Sequence, residues 1–323
     1  MKVLITGGSG FLGTSVGAGL ADAGHTVISA DLHPVTTPGV TSVTLDVTDA
    51  DGVRALLTEH RPEAVVHLAA IVTPGKDSGR EVERRVDVEG TRNVIAGCVA
   101  AGVRRLVVSS SGAAYGYHPD NPDWITEDQP VRGSLEFAYS DHKAQVEQLL
   151  AAARREHPEL EQVVLRIGTI LGERVDNQIT ALFLKKRLLG IRGARSPFVF
   201  IWDTDVVAIV QRAVTGDVTG TFNVAGDGAL PITQIAERLG KNVLWLPDLL
   251  LRAVLAVGTT LGVSRYGPEQ TRFLKHRPVL DNTRLREDFG YAPTHTSAEA
   301  FESWLATHPQ AHAQAARGGR RPR

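Results

Sequence analysis

Short apolar runs and helix-period patterns alternate through the first half of the chain. Residues 3–6 read as a buried strand, 26–31 as a second, 43–46 as a third and 64–68 as a fourth. Residues 104–110, around Leu106-Val107-Val108, give a fifth strand, and 162–167 a sixth. These runs are apolar on both faces, as a parallel sheet covered by helices requires. Between them, residues 11–23 carry helical periodicity and stop at Gly24. A helix starts near Thr48-Asp49, a long one runs over about 81–101 to Gly102, and another spans 137–155. Such alternation implies right-handed crossovers. It predicts an α/β fold with a doubly wound parallel sheet over residues 1–168. After Gly168 the alternation breaks down. Residues 181–189, 231–239, 248–257 and 268–273 look helical between turns. A smaller, mostly helical C-terminal subdomain is therefore predicted over 169–311, with a segment near 201–225 returning to the first domain.

Composition narrows the partners. The chain has 323 residues, 42% of them hydrophobic, enough for a sizeable core. Its 35 Lys and Arg against 36 Asp and Glu leave a net charge of -1, so no nucleic acid is expected as a partner. Cys98 is the only cysteine. It rules out an internal disulfide and a cysteine-rich metal site, and its helical setting reads as a buried, inert thiol. No metal is expected. The N-terminus enters a strand at once with no secretory pattern, which places the protein in the cytoplasm by default. Residues 243–263 are largely apolar, yet Pro247, Asp248, Arg252 and Gly258 interrupt them. That argues for a helix packed on the substrate side, not a membrane span, and no membrane partner is expected. Residues 312–323 end in Arg317-Gly318-Gly319-Arg320-Arg321-Pro322-Arg323, the composition of a disordered basic tail.

The first strand runs into Thr6-Gly7-Gly8-Ser9-Gly10-Phe11-Leu12-Gly13. Glycines here permit a tight turn and let backbone N–H groups approach a pyrophosphate. The following helix, opening at Phe11 and Leu12, presents its positive end to the same phosphates. A glycine pattern alone is weak, but this one follows a strand and opens a helix. Asp31 ends the second strand 18 positions after Gly13, near the spacing of a ribose-binding acid. A carboxylate there repels a 2′-phosphate, and no Arg or Lys occurs from Leu32 to Asp51. NAD is therefore the predicted cofactor, held by a Rossmann domain. Asp46 and Val47, after the third strand, could hold the adenine, although Asp46 reads equally as a helix N-terminal residue.

Tyr139 and Lys143 stand four residues apart, on one face of the predicted helix. An ammonium near a phenol favours the phenolate. Such a pair suits proton transfer in an alcohol–ketone interconversion.

The chain resembles the extended short-chain dehydrogenases/reductases, the NAD-dependent epimerase/dehydratase group, from the glycine turn to about Tyr291. The motifs are Thr6–Gly13, Asp46-Val47, His67-Leu68-Ala69-Ala70, Ser109-Ser110-Ser111-Gly112-Ala113-Ala114-Tyr115-Gly116, Tyr139 with Lys143, and Ile201-Trp202-Asp203-Thr204-Asp205-Val206. The resemblance implies a catalytic Ser111–Tyr139–Lys143 set, with Ser110 as fallback for the serine. It implies that Ser111 bonds the substrate oxygen, Tyr139 exchanges its proton and Lys143 holds the nicotinamide ribose. It also implies that Leu68, Ala69, Ala70, Ser109, Ile167, Gly168 and Thr169 line the cofactor. For His67 the reading is a histidine ending a buried strand. Members of the group pair through the two long helices, so a homodimer is expected.

Departures from the group bear on the substrate. The stretch after the sixth strand, Gly168-Thr169-Ile170-Leu171-Gly172, lacks the Asn that meets sugar phosphates in many members. Pro197 and Phe198 stand where an Arg is frequent, with Arg192 and Arg195 just upstream as substitutes or surface residues. Gly112-Ala113 replace the Asp-Glu of the dehydratases, and Asp87 replaces a frequent Asn. A small-molecule substrate with an apolar part is expected, against Ser111, Gly112, Tyr115, Phe183 and Trp202. His118, Trp124, Phe137 and Phe200 are further wall candidates, each open to simple core packing. Three functions follow: an NAD-dependent alcohol dehydrogenase or ketone reductase, a nucleotide-sugar epimerase with tightly held NAD, or a non-catalytic NAD-responsive regulator.

Overall fold

The computed structural model describes residues 1–72, 79–260 and 267–312. The first half runs β1 (Lys2–Thr6), α1 (Phe11–Asp22), β2 (Thr26–Asp31), β3 (Val40–Thr44), α2 (Ala50–His60), β4 (Ala64–His67), α3 (Arg80–Arg84), α4 (Gly90–Ala101), β5 (Arg105–Ser111), α5 (Ala138–Glu156) and β6 (Glu161–Ile167). The second half adds β7 (Thr169–Leu171), α6 (Gln178–Phe183), β8 (Leu188–Ile191), β9 (Phe200–Trp202), α7 (Asp203–Thr215), β10 (Gly220–Val224), α8 (Ile232–Arg238), β11 (Val243–Leu246), α9 (Asp248–Thr260), α10 (Gln270–Lys275), α11 (Thr283–Glu287) and α12 (Ser297–Thr307).

Seven strands form one parallel sheet in the order β10-β6-β5-β4-β1-β2-β3. The register pairs Val3 with both Val27 and Ala64, Val65 with Leu106, and Leu165 with Phe222. The chain winds outward from β1 to β3, then crosses back to β4. That reversal opens a crevice at the carboxyl ends of β1 and β4, where doubly wound folds bind ligands. Both faces are covered. On one, Val16 and Leu20 of α1 meet Ile209 and Val210 of α7 and Leu285 of α11. On the other, Leu57 of α2, Val94 and Cys98 of α4, and Val146 and Leu150 of α5 pack together. β3 is the exception to strands apolar on both faces: it is the sheet edge, and Thr41, Ser42 and Thr44 are exposed.

The long helix expected over 81–101 is interrupted. Residues Arg85–Glu89 form a π-helical turn between α3 and α4. The wider turn carries Asp87 and Val88, both buried. The helix expected over 181–189 ends at Phe183, and the chain becomes β8, which pairs in parallel with β11. Gly190 lies under the Trp245 ring, with no room for a Cβ. Strand pairing overrode local helical propensity there. A separate aromatic core gathers Phe183, Phe198, Phe200, Phe301 and Trp304. Among the described residues no helix is long and apolar enough to cross a membrane. The expected basic tail, save His312, lies outside the described residues.

Candidate active site

Glycine builds the crevice by permitting close approach. Gly7 has φ +72°, and a Cβ there would strike the backbone of Leu68 and Ala69. The loop after β1 thus rests directly on the loop after β4. Gly13 faces the carbonyl of Gly7 and the Cα of Gly8 with no space for a side chain. Gly10 caps α1 without a side-chain hydrogen bond. The amides of Phe11, Leu12 and Gly13 therefore open the helix as its positive end, ready for phosphate. The Asp31 carboxylate accepts the Ser9 N–H at 3.1 Å and the His33 N–H at 3.4 Å, which fixes it at the rim of the same loop. Asp46 accepts the Thr48 N–H and hydroxyl, both at 2.8 Å, and Asn93 donates to the Val47 carbonyl at 2.9 Å. These bonds hold the loop after β3 beside α4. Across the crevice, Leu68, Ala69 and Ala70 continue from β4, with the Leu68 N–H donating to Thr6 at 3.0 Å. Ile167, Gly168 and Thr169 link β6 to β7, with the Gly168 N–H donating to Val224 at 2.9 Å and the Thr169 N–H to Val199 at 3.3 Å. A helix start with no side chain over it, an acid at the tip of β2 and no Arg or Lys from residue 32 to 51 fit NAD.

Ser111, Tyr139 and Lys143 lie where β5 meets α5. Ser111 is the last residue of β5, half-buried, and its hydroxyl accepts the Ala113 N–H at 3.1 Å. Ser140 donates to the Ala113 carbonyl at 2.6 Å. It thereby clamps the turn after Ser111 onto the helix that carries Tyr139. The Lys143 ammonium donates to the Ser109 carbonyl at 2.9 Å and lies 5.7 Å from the Tyr139 ring centre. Lys143 is buried while Tyr139 and Ser111 keep partial exposure, so the phenol and the hydroxyl are the groups a substrate can reach. Ser110, the fallback serine, points to the other side of the strand. It donates to Glu147 at 2.6 Å in a buried network.

That network is the floor of the site. Arg166 of β6 makes a forked pair with Glu147 of α5, the shortest contact being 2.6 Å. Its other nitrogen donates to the Tyr115 hydroxyl at 2.7 Å, and Tyr115 donates to Asn223 at 2.9 Å. Tyr115 is therefore not a pocket wall, and burial pushes its phenol up to about 12. Phe183 and Trp202, also expected against the substrate, are buried too. Phe183 stacks edge-on in the aromatic core, and Trp202 pairs with Leu171 in register and lies over His295 at 5.3 Å. Phe200 belongs to the same core, and Trp124 stands exposed. Gly112 stays beside Ser111, where a Cβ would press on Leu280.

Two buried histidines flank the set. Thr91 donates to the Asp87 carbonyl at 2.6 Å, so it accepts from His67 Nε2–H at 3.0 Å. His67 Nδ1 then accepts from Thr6 at 2.6 Å. Burial first and the Lys143 charge second push His67 down to about 3. It is a neutral strut, as its place at a strand end implied. His142 lies 3.6 Å from Asp87, and both are fully buried. Asp87 also accepts the Ile71 N–H at 2.8 Å. Burial raises the Asp87 carboxyl and lowers His142.

Sequence reasoning missed Arg277. Its guanidinium lies 3.4 Å from the Phe198 ring centre and 4.7 Å from that of Phe273. Among the described residues, Nε and Nη1 are out of water with no hydrogen-bond partner. Burial pulls the group down to about 9. Phe273 packs on Tyr117 at 5.3 Å and Tyr117 on Phe137 at 4.8 Å, two residues before Tyr139. In sequence Arg277 ends a basic cluster with Arg272, Lys275 and His276, the pattern of a solvated face, so nothing marked it.

A family model for the NAD dependent epimerase/dehydratase family matches residues 3–225, and the chain belongs to that family. The matched stretch contains the glycine turn, Asp31, Ser111, Tyr139 and Lys143. The uncharacterized protein Rv0501 of Mycobacterium tuberculosis is 26% identical over 75% of this chain and 65% of its own length. The chain thus spans about two thirds of that relative. The 3-diazoavenalumate denitrifying reductase of a Streptomyces species is 27% identical over 92% of this chain and 97% of the reductase. Among solved structures, the UDP-glucose 4-epimerase of Thermotoga maritima with UDP-glucose superposes with a TM-score of 0.74 at 20% identity, over 96% of this chain and 99% of that one. The Thermus thermophilus UDP-glucose 4-epimerase with NAD gives 0.73 at 23% identity, over 96% and 99%. At these identities the structural likeness speaks for the fold.

Proposed function

We propose that the protein is an NAD-dependent oxidoreductase that interconverts a secondary alcohol and a ketone on a mid-sized, partly apolar substrate carrying an anionic group. The observation that carries this reading is the Arg277 guanidinium between Phe198 and Phe273, whose Nε and Nη1 have no hydrogen-bond partner among the described residues. A cation held between rings and lacking a carboxylate is matched to a flat, singly anionic ligand. The missing Asn after β6 and the Phe198 in place of an Arg remove the contacts a sugar diphosphate would use. The match to a reductase over nearly its whole length agrees.

In the oxidative direction the Ser111 hydroxyl would hydrogen-bond the substrate oxygen and fix its distance from Tyr139. The phenolate oxygen of Tyr139 would take the carbinol proton. Lys143, held by the Ser109 carbonyl, would keep a positive charge beside that oxygen and bond the nicotinamide ribose. NAD supplies the hydride acceptor, and Asp31 with the glycine turn would orient it. Gly112 and Ala113 offer no second acid–base pair, which disfavours dehydration.

The second reading is a nucleotide-sugar epimerase. The UDP-glucose epimerase neighbours favour it, as do the exposed Arg192 and Arg195. The two readings separate in one assay. Secondary alcohols and ketones, with and without a carboxylate, are incubated with NAD or NADH alongside UDP-, GDP- and dTDP-sugars. The proposal expects a net change in NADH absorbance with a carboxylate-bearing substrate. Isomerisation of a sugar nucleotide with no net NADH would replace it. Two copies are proposed to pair through α4 and α5 in the cytoplasm.

A further inference from the structure

Helix α9 carries two neighbouring apolar stripes, and among the described residues one of them stays exposed. Leu251 turns into the protein at 4% exposure. Leu250, Val254 and Val257 follow at four- and three-residue steps on the neighbouring face, and they are 50%, 57% and 57% exposed. Leu249 beside them is 80% exposed. A contiguous exposed apolar stripe marks a contact surface.

The charge around the stripe says what covers it. β8 and β11 run side by side, and the Arg192 N–H donates to the Leu246 carbonyl at 3.0 Å, just before α9 begins. Lys185, Lys186, Arg187, Arg192 and Arg195 flank β8, all exposed, and Arg252 sits at the border of the stripe. Asp248 is the single acid across residues 182–195 and 241–258, and Lys275 already pairs with it at 3.1 Å. The whole chain is near neutral, with a net charge of -1, while Arg192 and Arg195 at the end of β8 nearest α9, with Arg252 on α9 itself, set cations beside the stripe. A second copy laid on it would set like charges together. Nucleic acid would use the cations and leave the leucine and valine stripe in water. An anionic lipid surface satisfies both, with the stripe in the acyl boundary and the cations among the headgroups.

We propose that α9 and the basic flanks of β8 form an interfacial face by which the enzyme sits on an anionic lipid surface without spanning it. The face is remote in sequence from Ser111, Tyr139 and Lys143, so it adds a location to the enzyme and leaves its chemistry unchanged.

The test is flotation of the full chain with vesicles of phosphatidylglycerol and phosphatidylcholine in equal parts, against phosphatidylcholine alone. Binding to the anionic vesicles only, weakened by added salt, is expected. The double variant Leu250→Asp, Val254→Asp should lower the bound fraction on the order of tenfold, with the NAD-induced melting shift unchanged. Arg192→Gln with Arg195→Gln should weaken binding to the anionic vesicles and reduce its dependence on salt. Absence of flotation overturns the proposal. So does flotation that the double variant leaves intact. Light scattering in which the double variant dissolves an oligomer, with no vesicle binding by the parent, would assign the stripe to a second copy instead. Retention of nucleic acid equal to that of anionic vesicles would likewise overturn it.

Discussion

Removing one oxygen at Tyr139 is the cleanest probe of the chemistry. Tyr139→Phe keeps the ring near Lys143 and removes its phenol oxygen. Turnover should fall by about 10²–10⁴-fold, while NAD still raises the melting temperature as in the parent. A variant that keeps its rate would place the proton transfer elsewhere. His67 gives a pH prediction of known sign. Folded, it binds a proton only near pH 3; unfolded, it does so below its ordinary value of 6.5. The unfolded chain therefore holds the extra proton throughout that window, and stability falls as pH drops from 6.5 toward 3. The slope from this group approaches ~1.4 kcal/mol per pH unit. Urea unfolding at several pH values should show that slope in the parent and lose it in His67→Gln. The placement of Lys143 beside Tyr139 was legible because a four-residue step puts both on one helix face, whereas Ser111 rested on the resemblance. The places of Tyr115, Phe183 and Trp202 were not legible, because an aromatic residue in a run says nothing of which side its ring takes. Arg277 was hidden for the opposite reason, since its isolation appears only when Phe198 and Phe273 close around it.

At the scale of elements, β5, β6 and α5 are locked together beneath the site by Glu147 and Arg166. Alternation along β5 sends Ser110 down to this pair and leaves Ser111 on the substrate side. Breaking the pair strands a buried charge. Glu147→Gln should cost roughly 3–5 kcal/mol in denaturant unfolding, and a loss below about 1 kcal/mol would show the network to be unimportant. Most of the elements could be read from apolar runs and glycine stops, including α1 ending before Gly24 and α4 before Gly102. The π-turn at Arg85–Glu89 could not, since one extra residue in a helix leaves no mark on its periodicity. Nor could β8, which is a strand only because β11 lies beside it.

For the whole molecule, the doubly wound sheet brings the residues expected to hold the cofactor to the carboxyl ends of its strands, and the second half of the chain returns α7 and β10 to that sheet. The proposed homodimer through α4 and α5 should scatter light as two chains at micromolar concentration. A monomer there would remove that pairing. The most direct test of the oxidoreductase reading uses NADH deuterated at nicotinamide C4 with a carboxylate-bearing ketone. Deuterium is expected on the carbinol carbon of the released alcohol, with equal NAD in solution, and neither should form with Tyr139→Phe. Deuterium that stays with the bound cofactor while a sugar nucleotide is isomerised would contradict the account.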